Sequence, residues 1–228
     1  FTPAENAISV AELAMGMMLS LSRQLCGADA STKAGGWERR KYTGGELYGK
    51  TLGLVGFGRI ARLVADRAAA FGMFIVAYDP FVTDAPDGVT LLSLDDLLSR
   101  ADVISCHLPA TAQTRRMIDA DLLGKCKPGA ALINTSRGEV VDEAALVDAL
   151  KRQQLGGAGL DVRATEPPAA SPLDDMPNVI LTPHVGAFTH EAQDRVVTRV
   201  CEDVAAVLEG REPVSPATKT IKPKGGRA

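Results

Sequence analysis

Apolar residues recur along this chain with two different periods. From residue 9 to residue 25, Val10, Leu13, Met17, Leu21 and Leu25 fall three or four apart, the spacing that lines one face of a helix. Ser9 followed by Glu12 has the form of a capping box and predicts the start of that helix. A Gly- and charge-rich connector, Gly27 to Lys50, follows and holds the single tryptophan, Trp37. Beyond it, short apolar runs alternate with helical stretches. The runs predict strands at Thr51–Gly56, Phe74–Tyr78, Val89–Leu91, Asp102–His107, Ala130–Asn134, Gly157–Asp161 and Val179–Leu181. Helices are predicted at Arg59–Phe71, Leu94–Leu98, Ala120–Lys125, Glu143–Arg152 and from about Thr189 to Leu208. Strands rich in Val, Ile and Leu that alternate with helices imply a parallel sheet with both faces covered, a doubly wound α/β domain.

Composition narrows the function classes. The chain has 228 residues, 46% of them hydrophobic, enough for a sizeable core. Its formal charge of -3, with both signs interspersed, gives no footprint for nucleic acid. No apolar run approaches the roughly 18 residues of a membrane span. Cys26, Cys106, Cys126 and Cys201 lie far apart, without metal-ligand or disulfide-scaffold spacing, and read as reduced thiols of a cytoplasmic protein. The three histidines have no partners at ligand spacing, so no metal site is expected. From Arg211 to Ala228 the chain is basic and poor in apolar residues, the composition of a flexible, solvated tail.

The first segment that carries chemistry is Leu52-Gly53-Leu54-Val55-Gly56-Phe57-Gly58-Arg59-Ile60-Ala61, which ends a strand and opens a helix. It fits the GxGxxG/A fingerprint: Gly56 for a tight turn, Gly58 for close approach to a pyrophosphate, Ala61 for close helix packing. The N–H groups of Arg59 and Ile60 open the helix, whose dipole favours an anion. The next strand ends in Asp79-Pro80, where a carboxylate can accept both ribose hydroxyls and repel the extra phosphate of NADP. Asp79 therefore points to NAD, although an Asp-Pro pair can also simply end a strand.

Three further segments follow predicted strands: Asn134-Thr135-Ser136-Arg137-Gly138, Gly159-Leu160-Asp161-Val162 running on to Glu166-Pro167-Pro168, and Thr182-Pro183-His184-Val185-Gly186. All lie at the carboxyl edge, where doubly wound sheets bind ligands. A guanidinium can hold a carboxylate in a fork and polarise the adjacent carbonyl. An imidazole can move the proton that accompanies hydride, and a neighbouring carboxylate orients it and favours its charged form. Singly, Arg137 also fits a surface ion pair, Glu166 an exposed loop charge, and His184 a turn residue. His107 is expected at the strand edge near a cofactor and His190 at the start of the last helix, neither moving a proton.

Together these segments resemble the D-isomer-specific 2-hydroxyacid dehydrogenases, over nearly all of residues 4 to 213. The likeness runs from Ser9-Val10-Ala11-Glu12-Leu13-Ala14 through Gly49-Lys50-Thr51-Leu52-Gly53, the fingerprint, His107-Leu108-Pro109 and the three later segments. It implies a Rossmann-like NAD-binding domain whose substrate anchor is Arg137, whose acid/base is His184 and whose orienting carboxylate is Glu166. Asp161 would hold the nicotinamide amide. Further cofactor contacts would come from Leu108, Pro109, Thr114, Thr135, Ser136 and Gly186.

The resemblance divides the chain into a linking helix (1–26), a connector and dimerisation region (27–50), a dinucleotide-binding domain (51–188), a C-terminal helix (189–210) and the tail (211–228). The family's second, substrate domain is built from preceding sequence, and this chain, beginning at Phe1, would largely lack it. The linking helix and connector imply a homodimer, although Met15, Met17 and Met18 equally fit core packing within one chain. The implied activity is hydride transfer between NAD and a small D-2-hydroxy or 2-keto acid. Two alternatives stay open: an NAD-sensing interaction module without turnover, and formate oxidation.

Overall fold

The computed structural model describes residues 5–216. Residues 217–228, most of the expected tail, lie outside the described residues. Seven strands form one sheet in the order β3-β2-β1-β4-β5-β6-β7: β1 Thr51–Val55, β2 Phe74–Tyr78, β3 Val89–Leu91, β4 Val103–Cys106, β5 Ala130–Asn134, β6 Leu155–Leu160 and β7 Val179–Leu181. Every neighbouring pair is parallel. The chain winds outward from β1 in one direction and then from β4 in the other, so the sheet has a switch point between β1 and β4.

Strands covered on both faces read as continuous apolar runs. Leu52, Leu54 and Val55 of β1 and Ile104 and Cys106 of β4 have no exposed surface. On one face lie α1 (Ala7–Arg23) and α3 (Arg59–Ala70), joined by a core that includes Met17, Met18, Leu54, Val64 and Ile133. On the other lie α4 (Leu94–Arg100), α5 (Ala120–Lys125) and α6 (Glu143–Lys151), around Leu97, Ile104, Leu132, Leu146 and Leu160. Small residues let α1 come close to β6: a Cβ on Gly159 would lie 3.1 Å from Met17. The three methionines of α1 are buried in this chain's own core.

The N-terminal region differs from the sequence reading. Helix α1 starts at Ala7, with Asn6 at its cap, and no capping box forms at Ser9. Ser9 is buried instead, its hydroxyl 2.8 Å from that of Thr189, the cap of α7 (His190–Leu208). The long-range partner outcompetes the local one. Gln24 takes a left-handed conformation (φ 51°) and ends α1, so the helix stops short of Leu25. Leu25–Lys33 then forms a separate helix, α2, inside what reads as connector. Ala28 and Ala30 favour helix, and Gly27 is tolerated at an exposed position. Smaller shifts occur at strand ends: Gly56 and His107 fall just outside β1 and β4, and β6 begins two residues earlier than its apolar run. Among the described residues, no helix is long and apolar enough to cross a membrane.

Candidate functional site

The parallel register aligns the carboxyl ends of six strands. Val55 pairs with Tyr78 and Cys106, Cys106 with Asn134, Asn134 with Leu160, and Leu160 with Leu181. The next residue on each strand therefore falls in one rank: Asp79, Gly56, His107, Thr135, Asp161 and Thr182. Most of the residues singled out from sequence stand in this rank or within a few positions of it.

At the β1–β4 switch point, Gly56 has φ +89°, a conformation that glycine adopts without penalty. A Cβ there would also lie 2.7 Å from the His107 carbonyl oxygen. Gly58 caps α3 without a side-chain hydrogen bond, and a Cβ on it would meet nothing within 4 Å. The first N–H groups of α3, including those of Arg59 and Ile60, thus open onto a clear approach suited to a phosphate. Ala61 is fully buried beneath them. Asp79 accepts from the N–H of Phe57 through Oδ2 and from that of Phe81 through Oδ1, each at 2.9 Å. Each oxygen retains a lone pair for a hydroxyl, while Pro80 is exposed beside it.

Along the same crevice, Thr135 Oγ1 and His107 Nδ1 are buried without a protein partner. Nε2 of His107 lies 2.9 Å from the Ser105 hydroxyl, and burial pushes the ring down to about 4, so it is neutral near pH 7. Thr114 donates its hydroxyl to the Pro109 carbonyl and accepts from the N–H of Thr111, closing the loop after Leu108 on itself. Uncapped helix donors, a clear glycine, a strand-tip carboxylate and unpaired buried polar atoms form a set that fits a dinucleotide.

The Glu166 carboxylate, the His184 imidazole and the Arg137 guanidinium stand toward the other end of the rank. Asp161 is 2% exposed, yet both oxygens are engaged: Oδ1 accepts from Thr182 Oγ1 (2.6 Å) and the N–H of Val185 (2.8 Å), and Oδ2 from the N–H of Gly186 (2.8 Å). The N–H of His184 donates to the Asp161 carbonyl at 2.8 Å. These bonds hold His184 at φ 56°, a left-handed conformation that costs a non-glycine residue about 1–2 kcal/mol. Its Nδ1 lies 2.7 Å from Glu166 Oε2. The other carboxylate oxygen, Oε1, accepts from the N–H of Arg163 at 3.0 Å.

Glu166, His184, Asp161, Thr182, Arg163 and Pro167 line one cleft of about 480 Å³. A second cavity, about 540 Å³, lies at the opposite, amino end of the strands, against Leu21, Lys50 and Asp102, and contains none of these groups.

Arg137 is exposed and makes no hydrogen bond to Glu166 or His184; its guanidinium donates to the Ser136 carbonyl at 2.6 Å. Its loop is nonetheless tightly built. Asn134 accepts from the N–H and hydroxyl of Ser136 and donates to the Arg137 carbonyl. Gly138 packs so closely that a Cβ would lie 1.9 Å from the Arg163 carbonyl carbon. Sequence reading passed over Thr182 and Arg163. The only local signal for Arg163 is a charged residue three positions past the apolar end of a strand.

Burial alone would raise the Glu166 carboxyl. The hydrogen bonds from His184 and the Arg163 N–H, and the charges of His184 and Arg137, outweigh it and hold the group below its ordinary 4.5. A carboxylate depressed in the folded state contributes stability above its unfolded value and loses it as pH falls through the folded one. The stability difference between the wild type and Glu166→Gln, measured by urea unfolding, is therefore expected above pH 4.5 and should vanish in stronger acid. A difference independent of pH would contradict this pairing.

Comparison with known proteins agrees with this geometry. The family model for the D-isomer specific 2-hydroxyacid dehydrogenase, NAD binding domain, matches residues 15–186. The D-3-phosphoglycerate dehydrogenase of Mycobacterium tuberculosis is 52% identical over 211 residues, 91% of this chain and 40% of that protein. The hydroxypyruvate reductase of Thermotoga maritima is 45% identical over 206 residues, 89% of this chain and 67% of that protein. The solved D-lactate dehydrogenase from Aquifex aeolicus, complexed with NAD and lactic acid, superposes with a TM-score of 0.84 at 35% identity, covering 91% of this chain and 68% of that one. This chain thus spans about 40% of the length of the phosphoglycerate dehydrogenase it matches. With sequence, fold and the rank of strand-end residues in agreement, the chain belongs to the D-isomer specific 2-hydroxyacid dehydrogenase family, of which it carries the NAD-binding domain.

Proposed function

We propose that the protein is an NAD-dependent oxidoreductase acting on a small D-2-hydroxy acid or its 2-keto counterpart, with Arg137, Glu166 and His184 as the catalytic set. The observation that carries this reading is the 2.7 Å contact between His184 Nδ1 and Glu166 Oε2 on the sheet edge that bears the Gly56 turn. The names of the relatives, each a dehydrogenase or reductase of such acids, support the substrate class.

NAD, when bound, supplies or accepts the hydride. Gly58, Arg59 and Ile60 would meet its pyrophosphate and Asp79 its adenosine ribose. Leu108, Pro109, Thr114, Thr135, Ser136, Asp161 and Gly186 would line the remainder of the site. Glu166 holds Nδ1 of His184, which leaves Nε2 as the atom that gives a proton to the substrate oxygen or takes one from it. Arg137 stands exposed at the same edge, where its fork can bind the substrate carboxylate.

The same reading places two copies together and the protein in the cytoplasm. Helix α2 has no buried residue, and Trp37 and Tyr48 are 74% and 76% exposed, two bare aromatic side chains on the charged connector suited to contact with a second copy. All four cysteines are free thiols, which suits a reducing compartment.

Three outcomes test these assignments. In the full-length protein, His184→Gln should lower kcat for 2-keto acid reduction by about 10²–10⁴-fold, with NADH affinity nearly unchanged; near-normal turnover removes His184 from the role, and a wild type inert toward a panel of small 2-keto acids sinks the whole reading. Asp79→Ala combined with Phe81→Arg should raise the NADPH/NADH ratio of kcat/KM at least about tenfold, a change of about 1.4 kcal/mol, whereas unaltered selectivity would take Asp79 out of cofactor choice. In sedimentation velocity the wild type should run as a dimer and Trp37→Asp as a monomer; a monomeric wild type at micromolar concentration would reject the connector as an interface.

A further inference from the structure

Two segments of the proposed catalytic set meet one residue that has no part in the chemistry itself, and the third is held two positions away from it. The N–H of Arg163 donates to Glu166 Oε1 at 3.0 Å, leaving Oε2 to His184. Its carbonyl group lies directly under Gly138, where a Cβ would sit 1.9 Å from the carbon and 2.0 Å from the oxygen, so the Arg137 loop rests on this peptide. Two positions earlier in the chain, Asp161 holds the loop that carries His184.

The side chain explains why this peptide stays in place. Arg163 is only 8% exposed, and its guanidinium is forked onto one carboxylate: Nε to Glu143 Oε1 at 3.1 Å and Nη2 to Glu143 Oε2 at 3.0 Å. Nη1 stands 3.7 Å from Asp174 Oδ1, an ion pair at longer range. Glu143 Oε1 also accepts the N–H of Ala164 at 2.7 Å, clamping both sides of the same turn. Glu143 is the first residue of α6, and Asp174 belongs to the 3-10 turn Pro172–Asp175, itself fixed by a capping box from Ser171. The guanidinium thus ties a helix start and a rigid turn to the strand end. Its fork sets orientation as well as distance, which an ammonium cannot do. Removing it would leave Glu143 and Asp174 facing each other without a counter-charge.

We propose that Arg163 is a positioning residue: its buried guanidinium, held by Glu143 and Asp174, fixes the peptide against which Arg137, Glu166 and His184 are registered. The turnover consequences rest on the hydride-transfer reading above; the geometric claim does not.

The test uses Arg163→Met, Arg163→Lys and Glu143→Gln in the full chain, with folding checked by thermal unfolding. The Glu166 carboxyl is followed by ¹³C NMR through the acid range, its resonance identified by its loss in Glu166→Gln. In the wild type the contacts of Glu166 hold its carboxyl below the ordinary 4.5, and the titration should show this. In Arg163→Met it should move up toward that value, and in Arg163→Lys, which keeps the charge without the fork, it should fall between. In the full-length protein, kcat should drop by about 10–100-fold in Arg163→Met, the scale of a small misplacement, with partial recovery in Arg163→Lys and unchanged NADH binding in both. A folded Arg163→Met with the wild-type Glu166 titration overturns the proposal, and full restoration by Arg163→Lys would show charge alone at work and overturn it equally. If Arg163→Met does not fold, Glu143→Gln breaks the same fork from the other side and is judged by the same titration. A wild type without turnover would defeat the hydride-transfer reading while the titration still decides the role of Arg163.

Discussion

A carboxylate removed from water must find donors, and Asp161 finds all of its partners in the single loop that follows β7. A side-chain hydroxyl and two backbone N–H groups converge on it, and its own carbonyl takes the N–H of His184. A histidine does not settle into left-handed backbone on its own account; it stays there when its surroundings leave no alternative. The loop around Asp161 leaves none, and in that conformation the imidazole meets Glu166. Sequence reading gives Asp161 to the nicotinamide amide. The structure shows its oxygens serving the loop, so any contact with cofactor would use lone pairs left over from that service.

The sheet distributes the work along one edge. At the switch point between β1 and β4 the chain opens outward in both directions, and the crevice there offers backbone donors, a strand-tip carboxylate and two unpaired polar atoms. Toward β7 the same rank carries the charged groups. Separation of the two parts follows from strand order, and their alignment follows from parallel register, which puts the carboxyl ends of six strands at the same height. The helices contribute by burial: α1 and α3 cover one face and α4, α5 and α6 the other, so the edge is the principal place where backbone polarity is left for a ligand.

Much of this was legible in the residues, for reasons that differ from element to element. Strands β2, β3, β5 and β7 match their apolar runs residue for residue, because runs bounded by Gly, Pro, Asp or Asn have sharp ends. Strand β6 does not, since Gly156 interrupts the apolar run between Leu155 and the rest of the strand, and the pairing there is imposed by its neighbours. Helix α2 is hidden in a stretch whose glycines and charges look like connector. Ser9 has the pattern of a cap and the structure of a buried contact, because a partner 180 residues away outweighs a local one. For the candidate site, motif order and strand-end placement pointed to Arg137, Glu166 and His184. The clamp of Glu143 and Asp174 on Arg163 was not readable, since no local spacing encodes a contact made across 20 residues.

The two outermost strands of the sheet, Val89–Leu91 and Val179–Leu181, are three residues long. Unsatisfied backbone at a sheet border is what lets separate molecules zip together into fibrils, and the reach of such zipping scales with the length of the border. A sheet seven strands wide that tapers to such brief margins offers an incoming strand few places to attach. The broad interior strands can therefore be strongly apolar without making the folded protein adhesive at its margins.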